Sequence, residues 1–478
     1  MADDHAPLAI SCYGGEHPLV QTPNIDRLAK TGVRFTDAFA NNSICSPSRA
    51  VLLTGKYNHL CGVEKLDGHF DGAQQTFPKL LQNAGYQTAI VGKWHLFTQP
   101  TGFDYYCVLP GFGSSFDSKF KETDHPWEDG YAGGIVHKGY FTDVITDLSL
   151  DWLKSGRNPK KPFCLMIHHR APHAPHDPAP QDKDLFRNTD FPTPPTLLDN
   201  YAGRAPEVVS NQLLWSRLSQ LPRGYLRDDP TIRKQLTGDL AHDTRQLYQA
   251  YLREYLRVVV SLDRNVGRVL DYLDQSGLAT NTIVIYTSDN GFFLGEHGFY
   301  NKMWMYEDGF HIPLMVHLPD GHTATTNNQI VSMLDVAPTI LDFAGVKIPS
   351  DIQGNSMKPL ILGEPATWRD SLYYHYYGVG ASRTRNWIAS PDGEIFGVRT
   401  KTTKLICYPR WKGGPFWELF NLDEDPLEMH NLYRDSGRQQ EVASLKEKLR
   451  ALAEKYQDTN TVKNLDALAN DVKEPSPQ

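Results

Sequence analysis

Four short apolar runs that end in polar or charged residues constrain this chain more than any other feature. They are TAIVG (88–92), PFCLMIHH (162–169), TIVIYTSDNG (282–291) and PLMVHLP (313–319). Runs this continuous suit strands buried on both faces, as in a mostly parallel sheet with helices on either side. Helical periodicity fills the intervals at 23–31, 76–84, 139–155, 243–276 and 333–344. The longest carries Leu247, Tyr251, Tyr255, Val258, Leu262, Val266, Leu270 and Leu273 at three- and four-residue steps, which is one apolar face. The expected fold is α/β, with a large mostly parallel sheet sandwiched by helices.

The pattern changes near residue 366. SLYYHYYGV, FGVRTKTTKLICYP and FWELFNL read as antiparallel strands. A charged helix follows at 438–457, with Val442, Leu445, Leu449 and Leu452 on one face. The chain therefore divides into a large unit (1–365) and a smaller C-terminal subdomain (366–478) of antiparallel sheet plus helix. Between 171 and 240 it is rich in Pro, Asp and Arg and weakly periodic, a surface excursion of the kind that shapes selectivity. The tail NDVKEPSPQ is expected to fray.

A net charge of −8 over 478 residues argues against a nucleic-acid or polybasic membrane binder. It leaves room for a locally basic pocket. The cysteines are Cys12, Cys45, Cys61, Cys107, Cys164 and Cys407, and they form neither a CxxC pair nor a zinc spacing. No apolar run reaches the roughly 18 residues of a membrane span. The opening MADDHAPLAISCYGG has no signal-peptide core.

The ends of the apolar runs carry the chemistry. Asp289–Asn290 closes one of them, and Asp3–Asp4 stands at the start of the chain. Each pair has a plain reading, an Asn-Gly turn and a solvated acidic segment. Together they offer hard oxygens suited to Ca²⁺ or Mg²⁺. Lys93 and His95 alternate about Trp94, and in an extended segment both would face one side. A cation and an imidazole there suit an anion with a transferable proton. His168, His169, His173 and His176 crowd a proline-stiffened loop, where one or two are expected to move protons. Lys302 follows the Asp-Asn pair closely enough to reach the same pocket, or lies on the surface.

Cys45 opens CSPSRAVLLTG, where Pro47 disfavours helix before it and an apolar helix begins after Arg49. The cysteine would sit just before a helix N-terminus, either packed as a structural residue or reactive. An ordinary thiolate is an awkward nucleophile for a sulfate or phosphate ester, because the sulfur-bound product has no easy exit.

Taken together these motifs resemble the type I, formylglycine-dependent sulfatases of the alkaline phosphatase superfamily. The resemblance rests on CSPSR with Thr54–Gly55 and on ADDH, TPNIDRLAKTGVRFTDAFA, TFPKLLQNAGYQTAIVGKWHL, APHAPH, SDNGFFLGEHGFYNK, MLDVAPTILDFAG, QGNSMKPLI and WELFNLDEDPLEMHNL. They occur in the family's order along nearly the whole chain. It implies that Cys45 is oxidised to Cα-formylglycine by a formylglycine-generating maturation enzyme, with Pro47 and Arg49 marking it for conversion. The aldehyde hydrate then supplies one hydroxyl to attack sulfur and a second to expel sulfate.

The resemblance further implies that Asp3, Asp4, Asp289 and Asn290, with the side chain of Cys45, hold Ca²⁺ rather than Mg²⁺. It gives Arg49 to the hydrate, Lys93 and Lys302 to the sulfate oxygens, His95 to the base and His173 to the acid for the leaving alcohol. His168, His169, His176 and His297 are left as supporting or substrate-contacting residues. The expected substrate is a sulfated sugar or oligosaccharide, a glycosaminoglycan or algal fragment, with 171–240 and YYHYYGV shaping the rim. The alternatives are a phosphonate or phosphate ester hydrolase of the same superfamily, and an inactive homologue that only binds sulfated glycans. The family places an apolar strand just before the Asp-Asp pair. Here Met1 stands two residues before Asp3, so the sheet is expected to lack that strand. A true start further upstream could also carry a signal peptide, leaving a periplasmic or secreted location open.

Overall fold

The computed structural model describes residues 1–128, 130–210, 234–319, 324–378, 380, 393–410 and 415–470. The tail 471–478 and the 211–233 part of the Pro-rich excursion lie outside the described residues.

The strands of the large unit are β1 (Gly32–Phe35), β2 (Gln87–Lys93), β3 (Tyr105–Leu109), β4 (Lys119–Glu122), β5 (Ile135–Val136), β6 (Phe163–His168), β7 (Val284–Thr287), β8 (Leu314–His317) and β9 (Thr325–Asn327). They form two half-sheets, ordered β5-β4-β3-β2-β6 and β7-β8-β1-β9. Pairing is parallel for β2 with β3 and with β6, and antiparallel for β7 with β8 and β8 with β1. The first three residues join the halves. Ala2 bridges Ser288 and Asp3 bridges Pro172, both in parallel sense. Ala2 N–H donates to Thr287 O at 2.8 Å, Asp289 N–H to Ala2 O at 3.2 Å, and Asp3 N–H to Ala171 O at 3.1 Å. The central strand expected to be missing is absent, and these isolated bridges stand in its place. Only the carboxyl ends of β6 and β7 are paired across them, and Phe163, Cys164, Leu165, Val284 and Ile285 at the strand starts stay half-buried.

Helices cover both faces. On one side α1 (Ile25–Lys30) and the long α5 (Leu240–Gln275) pack Leu28, Leu262 and Leu270 against Tyr286 and Met315. The α5 face is the one its periodicity predicts, and Asp239 caps it by accepting from His242 N–H at 2.7 Å. Truncating a fully buried leucine such as Leu262 to Ala costs about 2–5 kcal/mol. α4 (Phe141–Asp151) covers β2–β4 through Val144 and Ile145. On the opposite side lie α2 (Cys45–Thr54), α3 (Phe77–Asn83) and α6 (Val336–Phe343).

C-terminal to these, β10 (Ser371–Tyr376), β11 (Ile395–Thr400), β12 (Thr403–Tyr408) and β13 (Phe416–Asn421) form an antiparallel meander. Then come α7 (Gln439–Lys455) and α8 (Thr459–Asn470). One apolar cluster runs from Val316 and Leu52 through Phe396 and Leu405 to Leu449. The expectation that YYHYYGV shapes the rim of the site is not met. Tyr373, Tyr374 and Tyr376 are fully buried, because α7 covers one face of the meander while the other lies against Trp304 and Tyr306. No helix among the described residues is long and apolar enough to cross a membrane.

Candidate active site

Cys45 is the first residue of α2, which takes in Ser46, Pro47, Ser48 and Arg49 rather than beginning after Arg49 as its sequence implies, with Ile44 extended before it. It is 1% exposed. Its Sγ lies 3.3 Å from Asp3 Oδ1 and 2.8 Å from Lys302 Nζ. Burial, with Asp3 alongside, pushes the thiol up to about 12. An unmodified Cys45 is therefore protonated at neutral pH and a poor nucleophile. One turn along, Arg49 donates from Nε and Nη2 to Asp289 Oδ2 at 3.0 and 2.8 Å, and from Nη1 to Lys93 O at 2.7 Å. Burial opposes its charge, but Asp289 and Asp3 hold the guanidinium protonated.

The acidic groups arrive from two strand ends, as the sequence suggests. Asp289 and Asn290 follow β7, and Asp3 and Asp4 follow the short bridge that joins the half-sheets. Donor atoms of Asp3, Asp4, Cys45 and Asp289 all lie within 4.8 Å of one another. Asn290 Nδ2 donates to Asp289 Oδ1 at 2.8 Å, while its buried Oδ1 has no hydrogen-bond donor among the described residues. Asp4 sits at φ 64°, where a non-glycine residue is strained. Its carbonyl accepts from Tyr255 Oη at 2.7 Å, so α5 holds that turn in place. Burial pushes the Asp4 carboxyl above its ordinary range, with Lys302 opposing and Asp3 adding to the effect.

Four more groups close the pocket. Lys93 Nζ pairs with Asp3 Oδ2, and Lys302 Nζ with Asp4 Oδ1. The neighbouring Gly92 has φ 106°, and a Cβ there would stand 2.1 Å from His168 O. Only glycine lets β2 approach β6 this closely. His95 does not reach the site by strand alternation with Lys93. β2 ends at Lys93, and the backbone turns through φ 59° at His95. Lys302 leaves a short hairpin of Phe293–Leu294 with Tyr300–Asn301, between two more left-handed residues, Asn301 (φ 84°) and Met303 (φ 92°). The His173 ring bonds Ala174 O through Nδ1 at 2.6 Å and turns Nε2 toward Asp4 Oδ2, 3.6 Å away. Burial, then Lys93 and Lys302, hold this imidazole well below its ordinary pKa.

All the residues proposed from sequence, Asp3, Asp4, Cys45, Arg49, Lys93, His95, His173, Asp289, Asn290 and Lys302, come together and are buried. The other histidines separate. His168 Nδ1 lies 3.4 Å from Arg49 Nη1, and His169 N–H donates to Met1 O. His176 packs on Tyr251 and Tyr255, while His297 pairs with Asp199 at 3.0 Å. Phe112 escaped the sequence reading. Its ring lies 4.6 Å from that of His95, 4.9 Å from that of His173, and 4.8 Å from Lys93 Nζ. The only cue was an aromatic between glycines in PGFG. Ser48, which donates to Asp289 O at 2.6 Å, and Tyr255 were also missed as site-building residues.

The donor set fits a hard dication. Three buried carboxylates repel one another, and the side-chain amide of Asn290 lies against the same group with its Oδ1 buried and unpaired, as expected where oxygen ligands converge on Ca²⁺ or Mg²⁺. Lys93 and Lys302 flank it and can bind an anion whose charge grows as its ester bond breaks.

Comparison with known proteins agrees with this chemistry. The sulfatase family profile matches residues 1–346, and the profile described as N-sulphoglucosamine sulphohydrolase, C-terminal, matches 295–455. The chain is 40% identical to an N-acetylglucosamine-6-O-sulfatase of Bacteroides thetaiotaomicron over 96% of its own length and 86% of the relative's. It is 28% identical to the N-acetylglucosamine-6-sulfatase of Bos taurus over 88% and 77% of the two chains. A structure solved in complex with its substrate D-glucosamine-2-N,6-O-disulfate superposes with a TM-score of 0.84 at 38% identity, covering 96% of this chain and 97% of the other. With a likeness of this extent along nearly the whole chain, the chain belongs to the sulfatase family, and it is a hydrolase of sulfuric esters.

Proposed function

We propose that this sulfatase removes the 6-O-sulfate of a glucosamine unit, using a formylglycine made from Cys45 and a calcium ion. The substrate reading rests on one observation: the 40% identical relative that spans nearly the whole chain bears the name of an N-acetylglucosamine-6-O-sulfatase. The buried constellation around Cys45 supports the mechanism.

Asp3, Asp4, Asp289 and Asn290 would hold Ca²⁺, which as a Lewis acid would stabilise negative charge developing in the reaction. Formylglycine, as its hydrate, supplies a hydroxyl nucleophile and a route for releasing sulfate. The chain's own residues do the rest. Lys93 and Lys302 bind the sulfate oxygens and stabilise charge developing on them. Arg49, fixed by Asp289 and the Lys93 carbonyl one turn along α2 from residue 45, would steady the hydrate with its positive charge. His173 Nε2 faces into the pocket because Nδ1 is committed to Ala174 O. Burial, then the two lysines, hold its pKa down; a bound sulfate ester offsets the lysines, which shifts the imidazole toward the protonated form that serves the departing alcohol. His95 takes a proton from the side of residue 45, and Phe112 covers both rings and Lys93 against water.

Sulfate release from a panel of sulfated mono- and oligosaccharides tests the reading. Glucosamine 6-O-sulfates should be turned over best. Preference for galactose sulfates or a 2-O-sulfate overturns the substrate reading alone. A phosphate diester hydrolysed more efficiently than every sulfate overturns the sulfate-ester assignment in favour of the phosphonate and phosphate esterases. Mass spectrometry of the tryptic peptide Phe35–Arg49 tests the modification, and an unmodified Cys45 in fully active enzyme would overturn it.

A further inference from the structure

A second cluster of metal-ligating side chains lies at the far edge of the sheet. Cys107 on β3 stands directly opposite Glu122 on the antiparallel β4. His137 follows β5, which pairs with the outer edge of β4. Ligand atoms of Cys107, Glu122 and His137 all lie within 4.8 Å of one another. Cys107 Sγ is 3.7 Å from Glu122 Oε1, and His137 Nε2 is 2.5 Å from the same oxygen. His125 lies outside this cluster as it stands, with Nδ1 3.7 Å from the other oxygen, Glu122 Oε2, on an exposed side chain that can swing in as a fourth donor. Cys107 is fully buried, while the Glu122 and His137 side chains are 23% and 25% exposed, which leaves an entry path.

We propose that Cys107, Glu122, His137 and His125 form a site for a borderline-soft divalent cation of the Zn²⁺ type. One thiolate, two imidazoles and one carboxylate are the donors such ions select, and Ca²⁺ avoids sulfur and nitrogen. Zinc bonded to S and N ligands at its usual lengths needs donor–donor separations of roughly 3.4–3.8 Å. The Cys107–Glu122 distance already satisfies this. The His137–Glu122 contact must open, as its shared proton gives way to the ion, and the exposed His125 must swing in. Binding releases the Cys107 proton and places a dication between two groups that repel one another as anions. The bridge would pin β3, β4 and β5 at the base of the 110–118 loop that carries Phe112 over the catalytic groups. The sequence hid this site because its ligands are spaced 15, 3 and 12 residues apart, unlike any zinc signature.

The test uses the mature, calcium-saturated enzyme dialysed against Co²⁺ and, separately, Zn²⁺. One tightly held Co²⁺ per chain is expected, with the near-ultraviolet absorption of a cobalt–thiolate bond, absent from Cys107→Ser. His137→Gln, at a half-exposed position, should weaken binding about 10-fold or more while near-ultraviolet circular dichroism and sulfate release stay unchanged. Zn²⁺ should raise the unfolding midpoint of the wild type and leave Cys107→Ser unmoved. No retained metal in the wild type, or equal retention and an equal thiolate band in both variants, overturns the proposal. Should Cys107→Ser misfold, the His137→Gln titration decides alone.

Discussion

Tyr374, on the first strand of the C-terminal meander, donates a 2.8 Å hydrogen bond to the carbonyl of Met303, the residue after Lys302. Both ends of the bond are buried, and Met303 holds a left-handed backbone. The C-terminal sheet therefore acts as a brace for the loop that aims Lys302 at Cys45. A strained loop keeps its shape only while its surroundings over-determine it.

Tyr374→Phe removes this bond and little else. The loss should cost about 1–2 kcal/mol of stability. Turnover should fall more than substrate binding, because Lys302 drifts from the ester it stabilises. Steady-state kinetics and urea unfolding check this. A stability loss with unchanged kcat would show that the brace is not transmitted to the site.

Lys302→Ala and Lys93→Ala should each lower kcat/KM by about 10²–10³, the scale for loss of one preorganised charge-stabilising donor. Lys302→Ala also leaves Asp4 without its cationic partner. Its activity should then depend more steeply on calcium than that of the wild type. A calcium titration of sulfate release compares the two.

Calcium removal should abolish activity reversibly. The three carboxylates left without the ion then repel one another, so the unfolding midpoint should drop on chelation and recover on re-addition. Asn290→Ala, which removes the orphaned Oδ1, should raise the calcium concentration needed for half-maximal activity without altering the maximum several-fold. If chelator leaves both midpoint and activity unchanged, the metal assignment is wrong.

Stability should depend on pH through His375, which lies between Asp458 (Nδ1, 2.6 Å) and Glu394 (Nε2, 2.8 Å). Burial works against its charge, and the two carboxylates overcome it, so the imidazole pKa is raised. Its contribution is complete below the unfolded value of about 6.5 and is lost as pH rises through the folded one. For Asp458, burial is outweighed by His375, and the pKa is lowered. That contribution is present above about 3.9 and is lost as pH falls. The stability gap between wild type and His375→Ala should reach about 3–5 kcal/mol between roughly pH 4 and 6.5, then narrow above that window. Urea unfolding across pH measures it, and a gap that stays flat into alkaline solution rules out the charged pair.

Much of the site was legible because each group stands where an apolar run stops. Asp289, Asn290 and Lys93 lie at strand ends, and Cys45 and Arg49 lie one turn apart on a helix entry. Local pattern marks such boundaries well. It does not report which distant elements lean on them. Phe112, Tyr255 and Tyr374 act through contacts made across the fold, and nothing near them in sequence signals this. The same limit explains the error over YYHYYGV. Its aromatics suit a ligand rim or a strand covered on both faces, and only the docking of α7 decides between the two. The missing central strand was legible, but not the isolated bridges by which Ala2 and Asp3 join the half-sheets.

The burial of Cys45 also bears on time. A thiol 1% exposed behind Asp3 and Lys302 is beyond the reach of any modifying enzyme once the chain has folded. Asn290, against which it packs, lies 245 residues further along. At synthesis rates of roughly 5–20 residues per second, the cysteine emerges about 12–50 s before the segment that seals it in. Under the proposed mechanism, conversion of Cys45 would thus be a race against the chain's own completion. Slower synthesis downstream of residue 45, or a delayed closure of the sheet, should raise the fraction of molecules that leave the ribosome able to work.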